Sequence, residues 1–246
     1  MLILAIESSA KPASVAVYDT GGKLLGQYFQ NNGFSHSRTL LAMAESLLKN
    51  LDIKPSNLDL VAVASGPGSF TGVRIGVSAV KGLAWGLDIP VCGVSTLEAM
   101  AYQTPETGIV ICPVMDARRE QVYNALFEWR DGKLVRLTDD RAISMEALVT
   151  ELKTHKSPCM LIGDGVDVFT SFLNNDSENI NSESNIPSEH KNYRIAPELM
   201  RYQTAYGVAL AAINCEPIPA IELEPFYLRP SQAERERDKT QHSALS

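Results

Sequence analysis

One structural plan is written twice along this chain, and that repetition restricts the possible folds more than any other feature. In the first half, Leu2-Ile-Leu-Ala-Ile6 is an unbroken apolar run, the pattern of a strand covered on both faces. Ala13–Tyr18 reads as a second strand, Asp19-Thr-Gly-Gly22 supplies turn chemistry, and Leu24–Phe29 returns. Beyond Asn31-Asn-Gly33, Leu40, Leu41, Ala44, Leu47, Leu48 and Leu51 recur at helical spacing, with Ser35 or Ser37 placed to cap. A buried strand over Leu58–Ala64, a glycine-rich loop, a helix over Gly72–Leu87 and a strand at Val91–Val94 complete the unit. The second half follows suit with strands at Ile109–Val114 and Val122–Trp129, a turn at Arg130-Asp-Gly-Lys133 and a return over Leu134–Leu137. A helix at Met145–Leu152, a strand at Met160–Ile162 and a helix from Val166 come next. The hairpins Val17–Leu25 and Phe127–Val135 also look alike, so the chain reads as a duplicated α/β unit divided near Thr104-Pro105.

Composition narrows the functions open to such a fold. A formal charge of -7 argues against an autonomous, sequence-blind nucleic-acid binder, whose affinity rests on Lys and Arg neutralising phosphates; a local basic patch stays open. The four cysteines (Cys92, Cys112, Cys159, Cys215) form no CxxC pair and are expected to be buried, reduced thiols. The N-terminal apolar run stops at Glu7 without a preceding basic region, and no stretch is long enough to span a bilayer. The expectation is a cytoplasmic protein without membrane association. Residues 174–192, dense in Asn, Ser and Glu, are expected to form a mobile loop, and residues 231–246 a disordered tail.

The stretch Ser65-Gly-Pro-Gly-Ser-Phe-Thr-Gly-Val-Arg-Ile-Gly76 stands between a strand and a helix, where backbone N–H groups can meet an anion. The familiar phosphate loops do not fit it. A dinucleotide fingerprint would need glycine where Thr71 stands, a Walker loop needs Gly-Lys-Ser/Thr, and a nucleophile elbow around Ser69 needs glycines at Pro67 and Thr71. Gly72, Gly76, Gly82 and Gly86 each cost a helix about 0.5–1 kcal/mol relative to Ala, so backbone proximity must be gained. Either this helix packs tightly on its own sheet, or its small residues receive another helix. Other chemistry is sparse: the four histidines form no HxxxH or HExxH pair, and none stands near a cysteine with zinc-ligand spacing. Glu7 sits where an open α/β sheet often places a functional carboxylate. His36 reads as a neighbour of the helix cap, Asp116-Ala-Arg-Arg-Glu120 as a solvated turn able to touch a ligand or partner, and Asp164 as a helix cap.

Three blocks together resemble a known family: Leu4–Ser9 with Ser14-Val-Ala-Val17, the Ser65–Gly76 loop, and Pro225-Phe-Tyr-Leu-Arg229. They are similar to the TsaB family of bacterial tRNA threonylcarbamoyladenosine biosynthesis proteins, over most of residues 1–230. The resemblance implies a duplicated RNase H-like/actin-like ATPase clan fold, two βββαβα units over 1–104 and 105–230. It implies a non-catalytic scaffold that works with a TsaD-like catalytic subunit and a TsaE-like ATPase. Together these transfer threonylcarbamoyl from its adenylate to N6 of the adenosine beside the tRNA anticodon, with tRNA reached through the complex. No cofactor, metal or catalytic residue is implied for this chain. The homologue TsaD holds a metal through an HxxxH pair; the matching places here are Thr96 and Met100, a poor ligand pair. Where TsaD has an acidic residue in its first loop, this chain reads Ala10-Lys11-Pro12. The family's partner contact resembles a helical bundle, which here implies Leu40, Met43, Ala44 and Leu47 on the Arg38–Leu51 helix, with Gly72, Val73, Gly76, Val77 and Val80 on the next. The same surface would pair with itself as a homodimer when the partner is absent. The alternative is an active ATP- or metal-dependent transferase of the same clan, using Glu7 and the glycine-rich loop. A peptidase ranks last, because no nucleophile–base arrangement can be nominated from spacing.

Overall fold

The computed structural model describes residues 1–175 and 192–229. The central part of the loop expected at 174–192, and the tail expected at 231–246, lie outside the described residues. The first half comprises β1 (Leu2–Glu7), β2 (Ala13–Asp19), β3 (Lys23–Gln30), α1 (His36–Asn50), β4 (Leu60–Gly66), α2 (Phe70–Leu87), β5 (Val91–Ser95) and α3 (Thr96–Tyr102). Its sheet runs β3-β2-β1-β4-β5, the first three strands antiparallel and the last two parallel to β1. The apolar run at 2–6 is covered on both faces, as its lack of alternation requires. Leu4 and Ile6 face a core with α1 and α2, while Ile3 and Ala5 face the opposite side.

The second half has β6 (Val110–Asp116), β7 (Gln121–Asn124), β8 (Phe127–Arg130), β9 (Lys133–Arg136), β10 (Arg141–Ser144), α4 (Met145–Leu152), β11 (Cys159–Ile162), α5 (Val166–Asn175) and β12 (Tyr193–Ile195). Its main path, β10-β7-β6-β11-β12, repeats the order of the first sheet strand for strand. The duplication is therefore present, but its hairpins correspond differently than the sequence suggests. Val122–Trp129 is two strands interrupted at Ala125-Leu126, and β8–β9 is an added hairpin hung from β6. The counterpart of β3 is β10, so the likeness of 17–25 to 127–135 joins elements that are not equivalent.

After α6 (Glu198–Arg201), α7 (Ala205–Ala212) leaves the second sheet and covers the free face of the first, against Ile3, Ala5, Ala62 and Cys92. Residues 205–226 thus pack on the first half, not on the second, to which 105–230 are assigned by the sequence. The physical reason is an otherwise bare apolar face: α1 and α2 cover only one side of that sheet. α3 lies between the halves, with Ala99 on the first core and Leu97, Met100 and Ala101 on the second. A Cys92–Cys215 disulfide fastens the end of this return to β5, where four reduced thiols are expected; Cys112 and Cys159 are free and buried. Among the described residues no helix is long and apolar enough to cross a membrane.

Candidate functional site: the cleft between the halves

The ends of β1, β4 and β6 meet at a cleft of about 670 Å³ bounded by both halves and by the C-terminal segment. Its first wall is built by close backbone approach. A Cβ on Gly72 would lie 2.1 Å from the Ser8 carbonyl oxygen, and one on Gly76 would lie 2.3 Å from Ser8 Oγ. Bare glycines let the first turns of α2 rest on residues 8 and 9. Ser69 N–H donates to the Ser9 carbonyl at 2.6 Å and Ser8 Oγ donates to the Gly72 carbonyl at 2.9 Å. Gly82 and Gly86, by contrast, face open space. The N-terminal pair therefore packs on its own sheet, the first of the two sequence readings, while the C-terminal pair leaves an uncovered small-residue face.

The C-terminal segment straps the cleft. Phe226 N–H donates to the Ser65 carbonyl at 2.7 Å, and the Tyr227 ring stacks on Phe70 at 4.6 Å. Arg74 Nε donates to Tyr227 Oη at 2.8 Å while its guanidinium lies 3.8 Å over Phe70. Arg229 then crosses to the second half, donating to the Ala117 carbonyl at 3.0 Å. On that side Arg118, Arg119 and Glu120 all have left-handed φ angles of 63°, 57° and 56°. Such backbone costs on the order of 1 kcal/mol per non-glycine residue and persists where surrounding structure enforces it. Here the hairpin is held by Ala117 N–H to Gln121 O and Met145 N–H to Glu120 O, both at 3.0 Å, and it turns Arg118 into the cleft rim.

Two carboxyls lie beneath this rim. Glu7 is 1% exposed; burial pushes its pKa up to about 7, against the opposing hydrogen bond from Ser9 N–H to Oε1 at 2.5 Å. Asp164 is also raised, chiefly by burial, with Gln203 Nε2 donating to it at 2.7 Å. Asp164, expected as a cap, is therefore a cleft carboxyl bound by Gln203. His36, expected as a bystander of the helix cap, also lines the cleft, its Nε2 within 2.8 Å of the Ala10 carbonyl. Among the described residues no three His, Cys, Asp or Glu side chains gather as a metal site.

The residues nominated for a partner surface fall elsewhere. Leu40, Ala44, Leu47, Val73, Val77 and Val80 are buried in the core beneath α1 and α2, and Met43 packs against it. Gly72 and Gly76 are spent on Ser8. These nine positions hold the helices to their own sheet, because the stripe at helical spacing is the core stripe. Among the residues that α1 and α2 show to solvent are instead Leu41, Arg74, Ser78, Gly82, Trp85 and Gly86. Trp85, at 84% exposure, was not singled out by sequence reasoning, nor were Phe70, Arg74 and Tyr227. A tryptophan next to two unpacked helix glycines is the signal that could have found the first; the others meet only through long-range return of the chain.

Two mixed sheets of identical strand order, facing each other across a cleft at their strand ends, define a duplicated RNase H-like fold of the actin-like ATPase clan. A family model described as TsaD, tRNA N6-adenosine threonylcarbamoyltransferase, matches residues 32–205. The TsaB protein of Bacillus subtilis is 37% identical over 66% of this chain and 71% of its own. That of Escherichia coli is 30% identical over 70% and 72%, and that of Haemophilus influenzae 27% identical over 93% and 94%. A Pseudomonas aeruginosa crystal structure described as similar to peptidase YeaZ superposes with a TM-score of 0.73 at 24% identity, covering 93% of this chain and 99% of that one. It speaks to the fold alone. The chain belongs to the TsaB family.

Proposed function

We propose that this chain serves in tRNA threonylcarbamoyladenosine biosynthesis as a non-catalytic subunit. It acts beside a TsaD-like catalytic subunit and a TsaE-like ATPase, which transfer threonylcarbamoyl to N6 of the adenosine next to the anticodon. Family membership supports the pathway. The observation that carries the non-catalytic reading is the state of α3. Thr96 and Met100, which stand where the homologous HxxxH pair falls, are 0% and 1% exposed, and Met100 packs in the core of the second half. A buried hydroxyl and a thioether at these two places make a poor ligand pair for a hard or borderline cation. The uncovered outer face of α2 around Trp85, Gly82 and Gly86, with Leu41 of α1, supports a helical partner contact there, taken by a second copy when the catalytic subunit is absent.

Reconstitution tests this. Transfer-RNA, threonylcarbamoyl-adenylate, the catalytic subunit and the ATPase are combined with and without this chain, and modified nucleoside is quantified by mass spectrometry after digestion. Product should require the chain, and the chain alone should form none. Product made by the isolated chain would establish the transferase reading instead; product made equally well without it would remove any role. Light scattering with a Trp85→Glu variant, which alters no core contact, should show loss of both the self-pair and the mixed pair.

A further inference from the structure

We infer that the cleft takes a segment of single-stranded RNA, one base against its aromatic wall and the flanking phosphates on Lys11, Arg118 and Arg229. The inference rests on the reading of this chain as part of a tRNA-modifying assembly, and goes beyond it by giving this chain a direct contact with the nucleic acid.

The cleft's volume of about 670 Å³ is that of a site for one nucleotide-sized group. Its mouth carries more apolar ring than a water-filled groove requires: Phe34 is 53% exposed, Phe226 47% and Tyr227 37%. Phe70 and Tyr227 are already stacked, with Arg74 laid over Phe70, so the wall is a pre-formed platform of the kind on which bases stack. Around the platform the charge runs against that of the whole chain, whose net charge is -7. Lys11 stands exposed on the first half, Arg229 spans the gap, and Arg118 projects from the second half with its side chain 87% exposed despite a 3.1 Å pair with Asp116. Asp164, the other carboxyl on the lining, is held toward its neutral form by burial. Three consecutive left-handed residues fix the arginine-bearing hairpin at this rim, an arrangement a solvated turn has no need of.

The same details favour a strand over a free nucleotide. A free triphosphate is cradled by a run of backbone N–H groups at a helix start; in α2 the Ser69 and Gly72 amides are already engaged by Ser9 O and Ser69 Oγ, which leaves those of Phe70 and Thr71 as a shorter cradle. In the first hairpin Pro12 has no N–H to give. The cations sit at the lip, spread across both halves, where successive phosphates of a strand entering and leaving the cleft would pass.

The test is fluorescence anisotropy of a short, labelled, mixed-sequence single-stranded RNA titrated with the full chain. Saturable binding is expected, with log Kd changing against log salt by about 0.7 per phosphate contacted, hence about 2 for three contacts. Lys11→Ala with Arg118→Ala should flatten that slope by about 1.4. Phe34→Ala, in an exposed loop, should weaken binding about fivefold or more, as loss of one stacked base does. Unchanged thermal midpoints show that the variants are folded. Absence of saturable binding, variants that bind like the parent, equal binding of an RNA duplex, or displacement by ATP or AMP at lower concentration than by unlabelled RNA would each overturn the inference, the last in favour of a free-nucleotide site. Reconstituted tRNA modification separates this outcome from that of the proposed function. A chain required for product that binds no single strand refutes the RNA site alone, and a chain that binds RNA but is dispensable for product refutes the subunit role alone.

Discussion

Glu7 ends a strand whose other residues are all apolar, and burial pushes its carboxyl up to about 7 where the unfolded chain would hold it at 4.5. A carboxyl whose folded pKa is raised binds its proton more tightly in the native state. Stability linked to it is therefore complete below the unfolded value and declines as pH rises through about 7. Glu7→Gln keeps the acceptor for Ser9 N–H and cannot ionise. The variant should match the parent near pH 4 and exceed it above pH 8 by up to about 3 kcal/mol, the full worth of the shift. Urea unfolding at several pH values reads the difference; parallel pH profiles for parent and variant would show that Glu7 does not titrate in this range. At Gly72 the constraint is steric. A methyl group placed 2.1 Å from the Ser8 carbonyl forces the start of α2 off the end of β1, so Gly72→Ala should lose roughly 1–3 kcal/mol or more.

At the scale of the element, α2 carries two glycine pairs under opposite rules. Gly82 has nothing within 4 Å of where a Cβ would stand, so Gly82→Ala relieves helix entropy without a clash and should stabilise the isolated chain by about 0.5–1 kcal/mol. A loss of thermal midpoint in Gly82→Ala would mean that the outer face is covered within the monomer. The contrast with Gly72 was not legible in the sequence, which shows the two pairs alike. What was legible is whatever rests on local pattern: the buried run of β1, the helical stripe of α1, the whole of α4 and the glycine loop between β4 and α2. Three features were hidden. α7 is apolar and small-residued on every side, so it has no stripe to detect. The break at Ala125-Leu126 carries no turn residue, so β7 and β8 read as one strand. The residues nominated for a partner proved to be core, because a stripe of Leu and Val tells that a face is buried and not against what. Of the site, Glu7 and the glycine loop could be seen; Arg118, Tyr227 and Arg229 acquire meaning only when the chain end returns across the cleft.

At the scale of the whole molecule, that return is what joins the halves. α3 is shared between the two cores, α7 seals the first sheet, and residues 223–229 run on over α2 to Ala117. The Cys92–Cys215 bond sits at the start of the strap, and Ile218 pairs with Val91 just beyond it. Because it closes a sequence separation of 123 residues, the bond restricts the unfolded chain strongly, and its removal should cost about 2–4 kcal/mol. Guanidinium unfolding with and without reductant measures this, and Cys215→Ser should behave as the reduced parent. Alkylation gives an independent count. Unfolded without reductant, the chain should expose two thiols, Cys112 and Cys159; unfolded with reductant, it should expose four. Four reactive thiols without reductant would show that the return of the chain is held by packing and the strap alone. The denaturant midpoint would then be indifferent to reductant, and the coupling of the two halves would rest on α3, α7 and the Phe70–Arg74–Tyr227 cluster.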